Sequence, residues 1–119
     1  MSDQAENTPI RDLTSDGVLK LYQAGPTTVL GFGGVDVPSD FNTAEYRDAI
    51  ANVLAEHHCK AVAFDLTGVT LIPSGMLGFW ASLREDDISV ELYNASDDIR
   101  EVLELTKLNQ WIKLSELDL

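Results

Sequence analysis

Apolar positions recur along this chain with two periods, one near two residues and one near three and a half. Val18 to Gln23 partly alternates and reads as a strand. Ala24-Gly25-Pro26 supplies a turn, and the β-branched and apolar run Thr27 to Phe32 reads as a second strand paired with the first. Gly33 to Asn42 is rich in Gly, Pro, Ser and Asp and reads as a loop. Tyr46, Ile50, Val53 and Leu54 then share one helical face, with Thr43 as the expected N-cap and an end near His57-His58. Lys60 to Leu66 is almost wholly apolar, as in a strand covered on both faces. From Ser74, the residues Met76, Leu77, Trp80 and Leu83 suit a second helix that stops at Glu85-Asp86-Asp87. Ile88 to Tyr93 alternates as a strand with one wet face. Ser96 then caps a third helix whose buried stripe begins at Ile99, Val102 and Leu103, with Thr106 next on that face. Trp111 to Leu114 forms a short last element.

The expected fold class is therefore α/β, in the order β-β-α-β-α-β-α, with a mixed, partly parallel sheet covered by helices. Residues 1–16 are polar, acidic and without periodicity, and are expected to form a disordered tail ahead of one domain over 17–119. A chain of 119 residues fits one core.

Charge narrows the range of partners. Twenty Asp and Glu against eight Lys and Arg give a formal charge of −12, with no cluster of cations to displace counterions from nucleic acid or to meet an anionic membrane. A partner with a basic face is the natural complement. The first residues lack the basic and apolar regions of a signal peptide, and no apolar run approaches the roughly 20 residues that span a bilayer. With Cys59 as the only cysteine, no internal disulfide is possible, and a cytoplasmic setting is expected.

Two runs resemble a known family. Ala61-Val62-Ala63-Phe64-Asp65-Leu66-Thr67-Gly68-Val69-Thr70-Leu71-Ile72 is similar to the central strand and following loop of STAS domains, and Ser74, Leu77 and Gly78 fit the next segment. Ile99 to Leu108 resembles the last helix, which in the family often ends in Leu-Thr-Gly-Leu; Lys107 stands at the Gly position. The resemblance covers about Val18 to Leu114. It implies a STAS-like fold and a bacterial regulatory protein that is not an enzyme and needs no cofactor. It also implies the partner switching of an anti-sigma factor antagonist, in transcription regulation, with a kinase-type anti-sigma factor as partner.

The resemblance also implies a phosphorylation site. The family's motif is Asp-Ser-Ser/Thr-Gly at the start of the second helix, and the ungapped match is Pro73-Ser74-Gly75-Met76. Ser74 falls on the phosphorylated position, while Pro73, Gly75 and Met76 depart from the motif. The plainer reading of Ser74 is a helix cap. Asp36 and Asp40 lie in the loop where the family places an acidic residue near the phosphosite; they read either as partner contacts or as turn residues bonding their own backbone. Met76 and Phe79 would join Pro73, Ser74 and Gly75 in a partner patch if the second helix leaves a face open, and otherwise belong to the core, as do Trp80 and Trp111.

Other chemistry finds little footing. His57-His58-Cys59 lacks the spacing of a metal site, and Cys59 reads as a small core residue. Ser74 has no Gly-x-Ser-x-Gly elbow, and Gly31-Phe32-Gly33-Gly34 has no following Gly-Lys-Ser/Thr to make a phosphate loop. The alternatives to a phosphoswitch are a constitutive adaptor or scaffold subunit of the same fold and, from another class, a small-ligand binder or hydrolase using Ser74.

Overall fold

A computed structural model of the chain describes residues 10–37 and 42–116. Its elements are β1 (Arg11–Asp12), β2 (Lys20–Gln23), β3 (Thr27–Gly31), α1 (Thr43–Glu56), β4 (Ala61–Asp65), α2 (Ser74–Glu85), β5 (Ser89–Tyr93), α3 (Asp97–Leu105), one 3-10 turn (Leu108–Gln110) and β6 (Ile112–Ser115). Among the described residues the strands form one sheet in the order β1-β2-β3-β4-β5-β6. The first three strands pair antiparallel, and β3 through β6 pair parallel. The mixed α/β architecture expected from the alternating pattern is thus present, with a strand added at each edge.

Register explains the alternation of side chains. Leu30, Phe64 and Leu92 lie side by side across β3, β4 and β5, and all three are fully buried. Val29, Ala63 and Glu91 form the neighbouring row, whose side chains point to the opposite face. The helices add Tyr46, Ile50, Val53 and Leu54 from α1, Met76, Leu77, Phe79, Trp80 and Leu83 from α2, and Ile99 and Leu103 from α3 to the same core. At a bulge in β2, the Tyr22 ring covers Gly31 in the space a Cβ would need, and its hydroxyl accepts the N–H of Gly33 at 3.0 Å.

Four local expectations are corrected. The cap of α1 is Asn42, one residue before Thr43, whose side chain accepts the N–H of Glu45. Thr106 is exposed; its hydroxyl donates back to Val102 O at 2.8 Å and ends α3 instead of extending its buried stripe. Trp111 is 43% exposed, stacked under the Arg84 guanidinium at 4.2 Å and not within the core. Finally, part of the segment read as a tail is structured. Arg11 and Asp12 pair with β2, and residues 14–16 are tied to α1. Both residues of β1 are exposed, so no apolar period could announce the strand. Residues 1–9 lie outside the described residues.

The tie to α1 centres on Asp16. Its carboxylate accepts from the Tyr46 hydroxyl at 2.6 Å, the Thr14 hydroxyl at 2.6 Å and the Val18 N–H at 3.0 Å. Partial desolvation pushes the Asp16 pKa up, but the three hydrogen bonds together outweigh it and hold the carboxyl below its ordinary value of 3.8. A carboxyl with a lowered folded pKa contributes stability above its unfolded pKa and loses it as pH falls through the folded value. The expected result is that thermal stability drops on acidification below pH 4, and that Asp16→Asn flattens this part of the profile. Melting curves of both proteins between pH 2 and 6 check it; parallel profiles would show that Asp16 carries none of the acid response.

Lys107 gives a second test. It adopts φ 63°, ψ 16°, the left-handed conformation that ends α3. That conformation costs a residue with a side chain about 1–2 kcal/mol. Glycine adds about 0.4–1 kcal/mol of unfolded-state freedom in exchange. Lys107→Gly should therefore stabilise the domain by roughly 0.5–1 kcal/mol, read as a higher urea midpoint at unchanged slope.

Candidate functional site

The loops after β3 and β4 meet beyond the carboxyl ends of the parallel strands, where ligands of open α/β sheets commonly sit. The β4–α2 loop is held from both sides through Thr70. Its N–H and hydroxyl donate to Asp36 Oδ1 at 2.6 and 2.9 Å, and its carbonyl accepts from the Ser96 hydroxyl at 2.9 Å. Ser96 meanwhile caps α3 by accepting the Ile99 N–H, as its position before the helix suggested. The start of the loop is fixed by Asp65, which accepts the N–H and hydroxyl of Thr67, and by Asn94, which donates to the Thr67 hydroxyl at 3.0 Å. Gly68, at φ 82°, lies directly against the Gly34 backbone.

This frame presents the amino end of α2. Pro73, at φ −61°, is the residue before the helix, and Ser74 is its first residue and is exposed. Ser74 is therefore not a cap. No side chain caps α2, whereas Asn42 and Ser96 cap α1 and α3, and its first turn carries no acidic residue. The positive end of the helix dipole thus has no carboxylate from its own first turn. Asp36, Val37 and Thr70 to Ser74 line an open depression of about 500 Å³. Leu71, 61% exposed, supplies apolar surface at its edge.

The structure sorts the expected site residues. Asp36, Pro73 and Ser74 come together in the depression, with Gly75 half-buried in the first turn beside them. Asp36 bonds across to Thr70 instead of to its own turn, and the Thr70 N–H and hydroxyl hold its carboxyl below the ordinary value of 3.8. Asp40 lies outside the described residues. Met76 and Phe79 take the second of their two readings: at 2% and 8% exposed, covered by the sheet and α1, they belong to the core and not to a partner patch. Thr70, Ser96, Asn94 and Gly68 went unnoticed as site-forming residues, since each acts across loops distant in sequence.

His57 and His58 close α1 and take no part in lining the depression. Cys59 is buried and donates to the Gly25 carbonyl at 2.9 Å. Among the described residues no group of three or more His, Cys, Asp or Glu is placed to hold a metal ion, and no helix is long and apolar enough to cross a membrane.

A six-stranded mixed sheet with helices α1–α3, and a serine-bearing helix start clamped by its neighbouring loops, define a STAS-like domain. The chain belongs to the STAS domain family, whose model matches residues 34–117. Its structure is similar to that of the anti-sigma factor antagonist SpoIIAA in its unphosphorylated form, with TM-score 0.67 and 15% identity over 81% of this chain and 86% of that one. It is also similar to the Bacillus cell fate determinant SpoIIAA in the phosphorylated form, with TM-score 0.58 and 19% identity over 81% of this chain and 89% of that one. No curated protein sequence matches the chain significantly.

Proposed function

We propose that this domain is a protein-binding regulatory module of the anti-sigma factor antagonist kind, not an enzyme, and that its partner is a kinase-type anti-sigma factor. The partner docks on the depression at the start of α2, and its kinase activity places a phosphate on Ser74. The observation that carries the reading is the exposed Ser74 hydroxyl on an uncapped helix start, beside exposed apolar surface at Leu71. Both the family membership and the SpoIIAA-like fold support it.

The physics favours a switch that acts on binding and not on folding. A phosphate brings about −1.5 to −2 charge and three acceptor oxygens to the amino end of α2. Exposed negative charge there stabilises a helix by roughly 0.3–1 kcal/mol. In a tight interface the same group must be desolvated, which is costly unless a cation pairs with it. Asp36 lines the same depression and adds repulsion.

Partner capture from the source cells, followed by phosphosite mapping, tests the proposal. Wild type and Ser74→Ala should recover a kinase-type regulator. Ser74→Asp should lose it while melting at or up to about 5 °C above wild type, as a stabilisation of roughly 0.3–1 kcal/mol predicts. Recovery of no such regulator, together with no effect of Ser74→Asp on any interaction, overturns it. A second reading is a constitutive adaptor of the same fold. It is favoured by Pro73, which stands where the family motif has Asp and provides no capping side chain. Stoichiometric phosphate on Ser74 in protein from its own cells excludes that reading.

A further inference from the structure

At its opposite end α2 borders a second cavity. The helix has 12 residues, so its carboxyl end lies about 16 Å from Ser74. There the last turn of α2, the first residues of β5 and β6 and the 3-10 turn line a half-open cavity of about 290 Å³. That volume is at the small end of ligand pockets and suits a ligand of one or two rings.

We propose that this cavity binds a small aromatic monocarboxylate. Its walls combine apolar side chains from Trp80, Ile88, Val90, Leu108 and Ile112 with the polar residues Arg84, Asp87 and Ser89, and the half-exposed Trp111 completes them. One charged group in these walls lacks a matched partner among the described residues. The Arg84 guanidinium lies 4.2 Å over the Trp111 ring and makes no ion pair with any described residue, although the chain carries 20 acidic residues. Stacking on an indole fixes the plane of the guanidinium and leaves its fork of N–H donors available, the arrangement that takes a carboxylate through two parallel hydrogen bonds. Trp80 contributes ring surface to the cavity, while its indole N–H is sealed from solvent.

Asp87 sets the charge of the ligand. Asp87 lines the same cavity without pairing with Arg84, so a second negative charge on the ligand would add repulsion from its carboxylate. One carboxylate on a flat apolar body fits, whereas phosphates and dicarboxylates do not. This site is distinct from the depression at Ser74 and does not depend on the function proposed for it.

The protein reports on the cavity by itself, because its two tryptophans both line it. Indole-3-acetate titrated into the intact chain should give saturable quenching of tryptophan fluorescence and move the Trp80 and Trp111 indole N–H resonances in a two-dimensional nitrogen–proton spectrum. Arg84→Met keeps the aliphatic cover of Trp111 and removes the charge. It should weaken indole-3-acetate about tenfold or more, while neutral 3-methylindole binds both proteins alike. Arg84→Lys should fall between them and serves if Arg84→Met does not fold. Succinate and inorganic phosphate should leave both resonances in place. No saturable response to indole-3-acetate, equal affinity in the folded Arg84 variants, or shifts scattered over the surface instead of gathered at the cavity would each overturn the proposal.

Discussion

Phe64→Ala should remove about 3–5 kcal/mol from the stability of the domain. A typical domain has only about 5–15 kcal/mol in total, so the variant is expected to be close to unfolding at 37 °C. Phe64 is fully buried near the carboxyl end of β4, in the middle of the sheet. Its ring stacks on Phe32 at 6.3 Å and meets Trp80 of α2 at 5.2 Å, so one side chain joins the end of β3, the sheet and the helix that carries Ser74. The neighbours on both sides are rings in fixed positions, and the space left by truncation is poorly filled by their movement. Urea unfolding should show a much lower midpoint at unchanged slope, and Phe64→Leu should lose markedly less. A loss under about 1 kcal/mol for Phe64→Ala would mean that the core collapses into the gap and that Phe64 is not its keystone.

Gly68→Ala should be nearly as damaging and more local. A Cβ at this position would overlap the carbonyl group of Gly34, backbone against backbone, at φ 82°. The conformation alone costs about 1–2 kcal/mol for alanine. Relieving the overlap requires the two loops to part, which strains the Asp36–Thr70 clamp, and the total is expected at roughly 2–4 kcal/mol. Because the displaced loops line the depression at Ser74, partner binding should fall by more than the lost stability explains. Chemical-shift changes in Gly68→Ala should concentrate at residues 33–37 and 66–74. If they spread evenly and the melting point is unchanged, the loops are not in the close contact described.

What the sequence revealed and what it hid divide along a physical line. The periods of α1, α2 and β3 to β5 were legible because each element buries one continuous set of side chains: Met76, Leu77, Trp80 and Leu83 were placed on the core face before any contact was known, and all four are buried. β1 was illegible because neither of its two residues is buried. Position 107 showed in sequence only as a missing glycine, and its left-handed backbone gives that departure its meaning. The arrangement around Ser74 was half visible. The serine and Asp36 could be read locally, but Thr70 reaches Asp36 over 34 residues and Ser96 reaches Thr70 over 26, and no local pattern encodes such pairings. Phe79 stood open between core and partner patch, because a helix covered by both a sheet and a second helix buries a wider arc than its most regular apolar row suggests.

Each strand of the sheet pairs only with its immediate predecessor and successor in the chain. No strand has to be threaded between two that are already joined, so the sheet can grow by adding one hairpin or one helix-and-strand unit at a time. The antiparallel pairings close short turns, and each parallel pairing spans one helical crossover and no more. The same connectivity makes the ends expendable in order: β1 can detach from β2, or β6 from β5, without unpairing the central strands that position Ser74. A domain built in this sequence can loosen its margins while the scaffold of its recognition face stays closed.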